Sequence, residues 1–167
     1  GTDTTDVADA TASSNTAAAQ FEARDADKEY NFARIEALAR RAVDQGAEIV
    51  SFHECCIPGY TFLQTLSRPE IEELAEPVPD GPSTQRLIGL SKQLGVPLLA
   101  GLIESHHDKL YNTYVAAGPD GFVAKSDLGE KQLPSHLGFQ GENFPGHGGG
   151  GFRYPEYKQY LKYCFCL

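Results

Sequence analysis

Residues 27–60 read DKEYNFARIEALARRAVDQGAEIVSFHECCIPGY, and three signals lie in that one stretch. Asp27 is of a type that caps helix N-termini, and Phe32, Ile35, Leu38, Ala39, Ala42 and Val43 recur at the spacing of one helical face before Gly46 closes it. Residues 48–52 (EIVSF) then change to a short β-branched and aromatic run of the kind that forms a buried strand. At its carboxyl end stand His53, Glu54, Cys55 and Cys56, followed by a loop with Pro58 and Gly59. Helix, turn, buried strand is one step of an α/β fold.

The flanks extend the same pattern. Upstream, residues 1–16 (GTDTTDVADATASSNT) are too polar to offset their ordering entropy and read as a disordered tail, while residues 17–23 (AAAQFEA) form a short first strand. Downstream come a short helix over 69–75, a second over 83–94 after Pro82 with Leu87, Leu90 and Leu94 on one side, and Gly95 as its stop. Residues 96–103 (VPLLAGLI) read as a buried strand, 106–109 (HHDK) as a turn, 110–117 as a strand, 118–121 (GPDG) as a turn and 122–124 as its partner. The order strand, helix, strand, helix, strand, hairpin implies an α/β protein with mixed strands. Residues 126–151, rich in Gly and Pro, read as a long loop, and only 157–167 regain strand character.

Composition narrows the class. At 167 residues, with 41% hydrophobic and 22% charged, the chain fits one soluble domain with a packed core. The net charge of -9, with no Lys/Arg cluster, disfavours nucleic acid and anionic membrane as partners. No apolar run approaches the roughly 18 residues of a spanning helix, and no signal peptide is visible. The four cysteines form two close pairs, Cys55/Cys56 and Cys164/Cys166, unlike a disulfide framework, which implies a reducing, cytoplasmic setting. The lack of Met and the apolar ending over 161–167 read as a piece of a longer protein.

Chemistry enters with Glu54, a carboxylate where a strand gives way to a loop, the place where open α/β sheets put ligands. Far along the chain a cysteine, Cys164 or Cys166, ends a second apolar run after a loop holding Lys131 and Glu142. Thiol, ammonium and carboxylate are the parts of thiol acyl transfer: a nucleophile, an oxyanion stabiliser and a proton acceptor. Each also has a plainer reading. Glu54 alone is a surface carboxylate, Lys131 and Glu142 are solvated loop residues, and a free cysteine is commonly a small buried apolar group. Cys55 and Cys56 read as packing residues.

The segments DKEYNFARIEALARRAVDQGAEIVSF, HECCIPGY, EPVPDGPSTQRLIGLSKQLGVPLLAGLIE and KLYNTYVAAGPDGFVAK, over about 17–125, together resemble the nitrilase-like carbon-nitrogen hydrolases. The later segment 134–144 (PSHLGFQGENF) is similar to the branch of the N-carbamoylputrescine amidases, and aliphatic amidases are also near. The resemblance implies an αββα sandwich, here its N-terminal half, with the domain over 17–167 incomplete at its C-terminus. It makes Glu54 the general base; His53 stands where the family most often has proline. It makes Lys131 the oxyanion-binding lysine, with Lys125 matching the basic residue before it, and Glu142 the second glutamate, which orients the lysine. Cys164, followed by Phe165, is the nucleophile, with Cys166 as the alternative. It further implies a small-molecule amide, carbamoyl or nitrile substrate, no cofactor, and a homo-oligomer.

Three other readings are weaker. A metal site from His53, Cys55, Cys56 and His106-His107 lacks zinc-ligand spacing. Gly148–Gly151 lacks the following Gly-Lys-Ser/Thr and the preceding strand of a phosphate loop. A degenerate, truncated family member that binds or assembles without catalysis is the alternative from a different functional class.

Overall fold

The computed structural model describes residues 15–130. Strand β1 (Thr16–Ala18) leads through an extended segment to helix α1 (Lys28–Asp44) and strand β2 (Ile49–Ser51). A 3-10 turn (Thr61–Thr65), helix α2 (Arg68–Leu74) and helix α3 (Pro82–Leu94) follow, then strands β3 (Leu98–His106), β4 (Lys109–Gly118) and β5 (Gly121–Glu130). The five strands form one sheet in the order β1-β2-β3-β4-β5. β1, β2 and β3 are parallel; β4 and β5 fold back antiparallel. This is the mixed α/β architecture the helix and strand periodicities imply.

The long helices form for the reasons read from their ends. The Asp27 carboxylate accepts from the Tyr30 N–H at 3.0 Å, capping α1, and Gly46 ends the turn beyond it with φ of 90°. α3 starts on Pro82 and stops at Gly95, whose φ of 71° is left-handed. Phe32, Ile35 and Ala39 of α1 and Leu87 and Leu90 of α3 pack onto Val50, Leu98, Ala100, Leu102, Val115 and Ala117 of the sheet. Each fully buried Leu or Ile there contributes roughly 1.5–3 kcal/mol relative to exposure. Alternation along β3 and β4 sends the neighbours Leu99, Tyr114 and Ala116 to the opposite face, where they cluster with Ile49. The sheet thus has one face covered by α1 and α3 and a second apolar face, on which Ile71 of α2 packs with Ile103 and Leu110.

Most boundaries fall within two residues of the sequence reading, and three differ in ways that matter. The first strand is only Thr16–Ala18, because its sole ladder is the three-residue pairing with β2; the tail expected over 1–16 otherwise lies outside the described residues, as does the strand-like run at 157–167. β3 runs on to His106, so that the turn to β4 is the pair His107-Asp108. β5 does not end at Ala124: it continues to Glu130, pairing with β4 as far as Tyr111 through two irregularities. Backbone hydrogen bonds to β4 need no apolar alternation, so the polar run from Lys125 conceals a strand that reads as loop.

Candidate functional site

The chain leaving β2 turns over the second face of the sheet. Phe52 N–H donates to the Leu99 carbonyl at 2.8 Å and Ile57 N–H to the Gly101 carbonyl at 3.1 Å, so residues 53–56 arch between two points on β3. The arch lies against Gly101. A β-carbon there would sit 2.2 Å from the Cys55 nitrogen and 2.9 Å from the Glu54 carbonyl carbon, so only glycine admits the loop. Cys55 itself has φ of 47°, a conformation rare outside glycine and held here by these contacts. From the other side the buried Asn31 of α1 secures the same loop: its Nδ2 donates to the carbonyls of Ile57 at 2.9 Å and Arg24 at 2.8 Å, and its Oδ1 accepts from Arg24 N–H at 2.8 Å.

This frame presents Glu54 at the carboxyl end of β2 with its side chain exposed. Asn112, reaching from β4 on the same face, donates its Nδ2–H to Glu54 Oε1. The Tyr60 phenol also hydrogen-bonds Glu54. Partial burial first, then the charge of the Glu54 carboxylate and that hydrogen bond, push the Tyr60 hydroxyl above its ordinary range, so it remains a donor at neutral pH. Beneath, the Tyr114 hydroxyl donates to the Phe52 carbonyl and lies 2.9 Å from Ser51 Oγ, pinning the strand end. The arrangement is a carboxylate with an amide and a phenol donating to it and an open side toward solvent. Chemically it is equipped to take up a proton or to orient a polar reactant.

The other singled-out residues divide plainly. Lys131, Glu142, Cys164 and Cys166 lie outside the described residues, as does Gly148–Gly151. Lys125 is on the helix face of β5, where its ammonium pairs with the buried Glu104, whose other oxygen accepts from Thr113 Oγ1 at 2.8 Å. It is committed on the side of the sheet away from Glu54. Cys55 and Cys56 are both buried, with no disulfide between them, and burial pushes the Cys56 thiol up to about 12. Cys56 packs in the core beneath α1 and α3, whereas the Cys55 thiol also donates to Asn112 Oδ1 at 3.1 Å. The metal reading fails on distance: His106 stands five residues beyond Gly101 along β3, roughly 16 Å at 3.3 Å per residue. Among the described residues no group of three or more His, Cys, Asp or Glu side chains could hold a metal ion, and no helix is long and apolar enough to cross a membrane.

Asn112, Tyr60 and Gly101 were not singled out from sequence, although all three stand within motif segments. Tyr60 closes the HECCIPGY loop, and its position four residues from the 53–56 arch was the available signal. Asn112 becomes visible only with the β3–β4 register.

The sequence model that describes carbon-nitrogen hydrolases matches residues 15–157, which take in the whole described fold and its Glu54 loop. The chain belongs to the carbon-nitrogen hydrolase family. Among the relatives of this carbon-nitrogen hydrolase, omega-amidase NIT2 of Mus musculus is 34% identical over 145 residues, 83% of this chain and 50% of that protein. N-carbamoylputrescine amidase of Solanum lycopersicum is 32% identical over 140 residues, 82% of this chain and 44% of that protein. A nitrilase of Pyrococcus abyssi is 37% identical over 95 residues, 57% and 35% of the two lengths. The chain therefore spans half or less of these relatives' lengths. The crystal structure of Saccharomyces cerevisiae Nit3, a member of branch 10 of the nitrilase superfamily, superposes with a TM-score of 0.57 at 24% identity, over 67% of this chain and 42% of that one. The α/β carbon-nitrogen hydrolase fold is shared.

Proposed function

We propose that this carbon-nitrogen hydrolase cleaves a non-peptide amide, N-carbamoyl or nitrile bond of a small molecule through a cysteine thioester. The observation that carries the reading is the Glu54 carboxylate, exposed at the carboxyl end of β2 and held by donors from Asn112 and Tyr60. The family match supports it, since residues 15–157 include Glu54, Lys131 and Glu142, and stop short of Cys164 and Cys166. Relatives named as an omega-amidase and an N-carbamoylputrescine amidase support the substrate class.

For an amide, Glu54 accepts the Cys164 thiol proton and the thiolate attacks the carbonyl carbon. Lys131, oriented by Glu142, stabilises the oxyanion. Collapse breaks the carbon–nitrogen bond as the protonated Glu54 returns its proton to the departing nitrogen. Glu54 then deprotonates water, which attacks the thioester and releases the acid and the thiol. The same reading places the protein in the cytoplasm as a homo-oligomer, which sedimentation velocity on the purified chain tests.

Ammonia release from a panel of amides, carbamoyl compounds and nitriles tests the chemistry. Turnover reduced at least about a hundredfold by both Glu54→Gln and Cys164→Ala is the expected result. Activity that survives Cys164→Ala but is lost in Cys166→Ala moves the nucleophile by two residues. No turnover, together with no labelling of Cys164 by a thiol reagent at neutral pH, overturns the enzyme reading and leaves a binding or assembly role.

A further inference from the structure

Asn112 is 2% exposed, yet carries a carboxamide that needs partners in any buried place. It has one at each end. Its Nδ2 donates to Glu54 Oε1, and its Oδ1 accepts from the Cys55 thiol at 3.1 Å. These partners fix which way the amide points. A carboxylate offers acceptors only, so the nitrogen must face Glu54, and the oxygen is left to receive the thiol proton. Cys55, in turn, is held in its left-handed conformation against Gly101, so the chain of contacts runs from rigid backbone through a thiol and an amide to an exposed carboxylate.

We propose that Asn112 is the positioning residue of Glu54, with the Cys55 thiol setting the amide's orientation. A glutamate on a loop otherwise samples several rotamers, and a carboxylate that must meet a thiol and later a water gains rate from being held in one of them. Asn112 supplies that hold without adding charge. Among the described residues, Tyr60 of its own loop and Asn112 of β4 hydrogen-bond the Glu54 carboxylate, while Gly101 and Ile103 of β3 back the loop at Glu54 and Cys55. Asn112 is thus the neutral donor that reaches Glu54 from the sheet itself. The inference rests on Glu54 being the base, but the hold can be measured without turnover.

Two measurements on the full chain test it. In proton–nitrogen correlation spectra, Glu54→Ala shifts one Asn112 side-chain amide proton upfield while the backbone signals of β3 and β4 stay in place. In turnover, Asn112→Asp keeps the shape and the acceptor for Cys55 but exchanges the donor for an acceptor. It lowers kcat about ten- to a hundredfold with KM within about twofold. An Asn112 amide signal indifferent to Glu54→Ala overturns the proposal, as does an Asn112→Asp protein with unchanged kcat. If Asn112→Asp does not fold, the spectrum of Glu54→Ala still decides, since Glu54 is exposed and outside the core. A wild-type chain that shows the amide shift without hydrolysing any substrate separates failure of the catalytic reading from failure of the hold.

Discussion

Gly101 marks the tightest tolerance in the candidate site. Its missing side chain is the space through which the Glu54–Cys55 backbone passes, and the clash a methyl would meet, 2.2 Å to the Cys55 nitrogen, is with backbone that cannot rotate aside. Gly101→Ala is expected to cost about 3 kcal/mol in urea unfolding, at the upper end for overpacking, and to displace the loop. At Cys56 the expectation concerns reactivity. With its thiol near 12 the group is neutral at pH 7.5, so iodoacetamide leaves it unmodified in the native protein and labels it after unfolding, as peptide mass mapping would show. At this scale the position of Glu54 just past the end of β2 was legible, because a strand end followed by a Gly-Tyr loop is a local pattern. It missed Asn112 and Gly101, whose roles arise from cross-strand neighbours separated by many residues: Asn112 meets Glu54, 58 positions away.

Between elements, the buried Glu76 ties the starts of two helices together. Its carboxylate accepts from Lys28 at the head of α1, and from Ser83 N–H and Oγ, each at 2.7 Å, at the head of α3. Burial pushes this carboxyl upward, but the Lys28 ammonium and the Ser83 donors outweigh it and hold the group below its ordinary 4.5. A depressed folded-state value means the stabilisation is complete above about 4.5 and is lost as pH falls through the lower folded value. Glu76→Gln should therefore lower the unfolding free energy by about 2–3 kcal/mol at pH 7. Its difference from wild type should shrink steadily below pH 4.5, read from urea midpoints across pH. The helices themselves were legible, since Phe32, Ile35 and Ala39 on α1 and Leu87 and Leu90 on α3 repeat with the helical period that burial selects. The far half of β5 was not, because it is held by its backbone pairing with β4 and Lys125 answers to Glu104 rather than to an apolar neighbour.

Across the whole molecule, one sheet carries two kinds of burial: α1 and α3 on one face, and on the other Ile49, Leu99, Tyr114 and Ala116 with the neighbouring cluster in which Ile71 of α2 meets Cys55, Ile103 and Leu110, beside which the Glu54 loop is set. The α/β class follows from the alternation of helical and strand periods, whereas the placement of the site on the face away from α1 and α3 needs the register of β3 against β4. With a net charge of -9 the chain should show no binding to duplex DNA at about 0.15 M salt in fluorescence anisotropy. The hairpin at His107-Asp108 then has a bearing well beyond its own position. It joins His106 to Lys109 in register, and from there the count of residues along two strands brings Asn112 opposite Ile103 and Tyr114 opposite Gly101. A slip of one residue would turn Thr113 or Tyr111 to that face and Asn112 to the helices. The connection therefore works as a ruler: its length measures out which side chain of β4 arrives at the carboxylate, and an insertion there would retune the site without touching any residue in it.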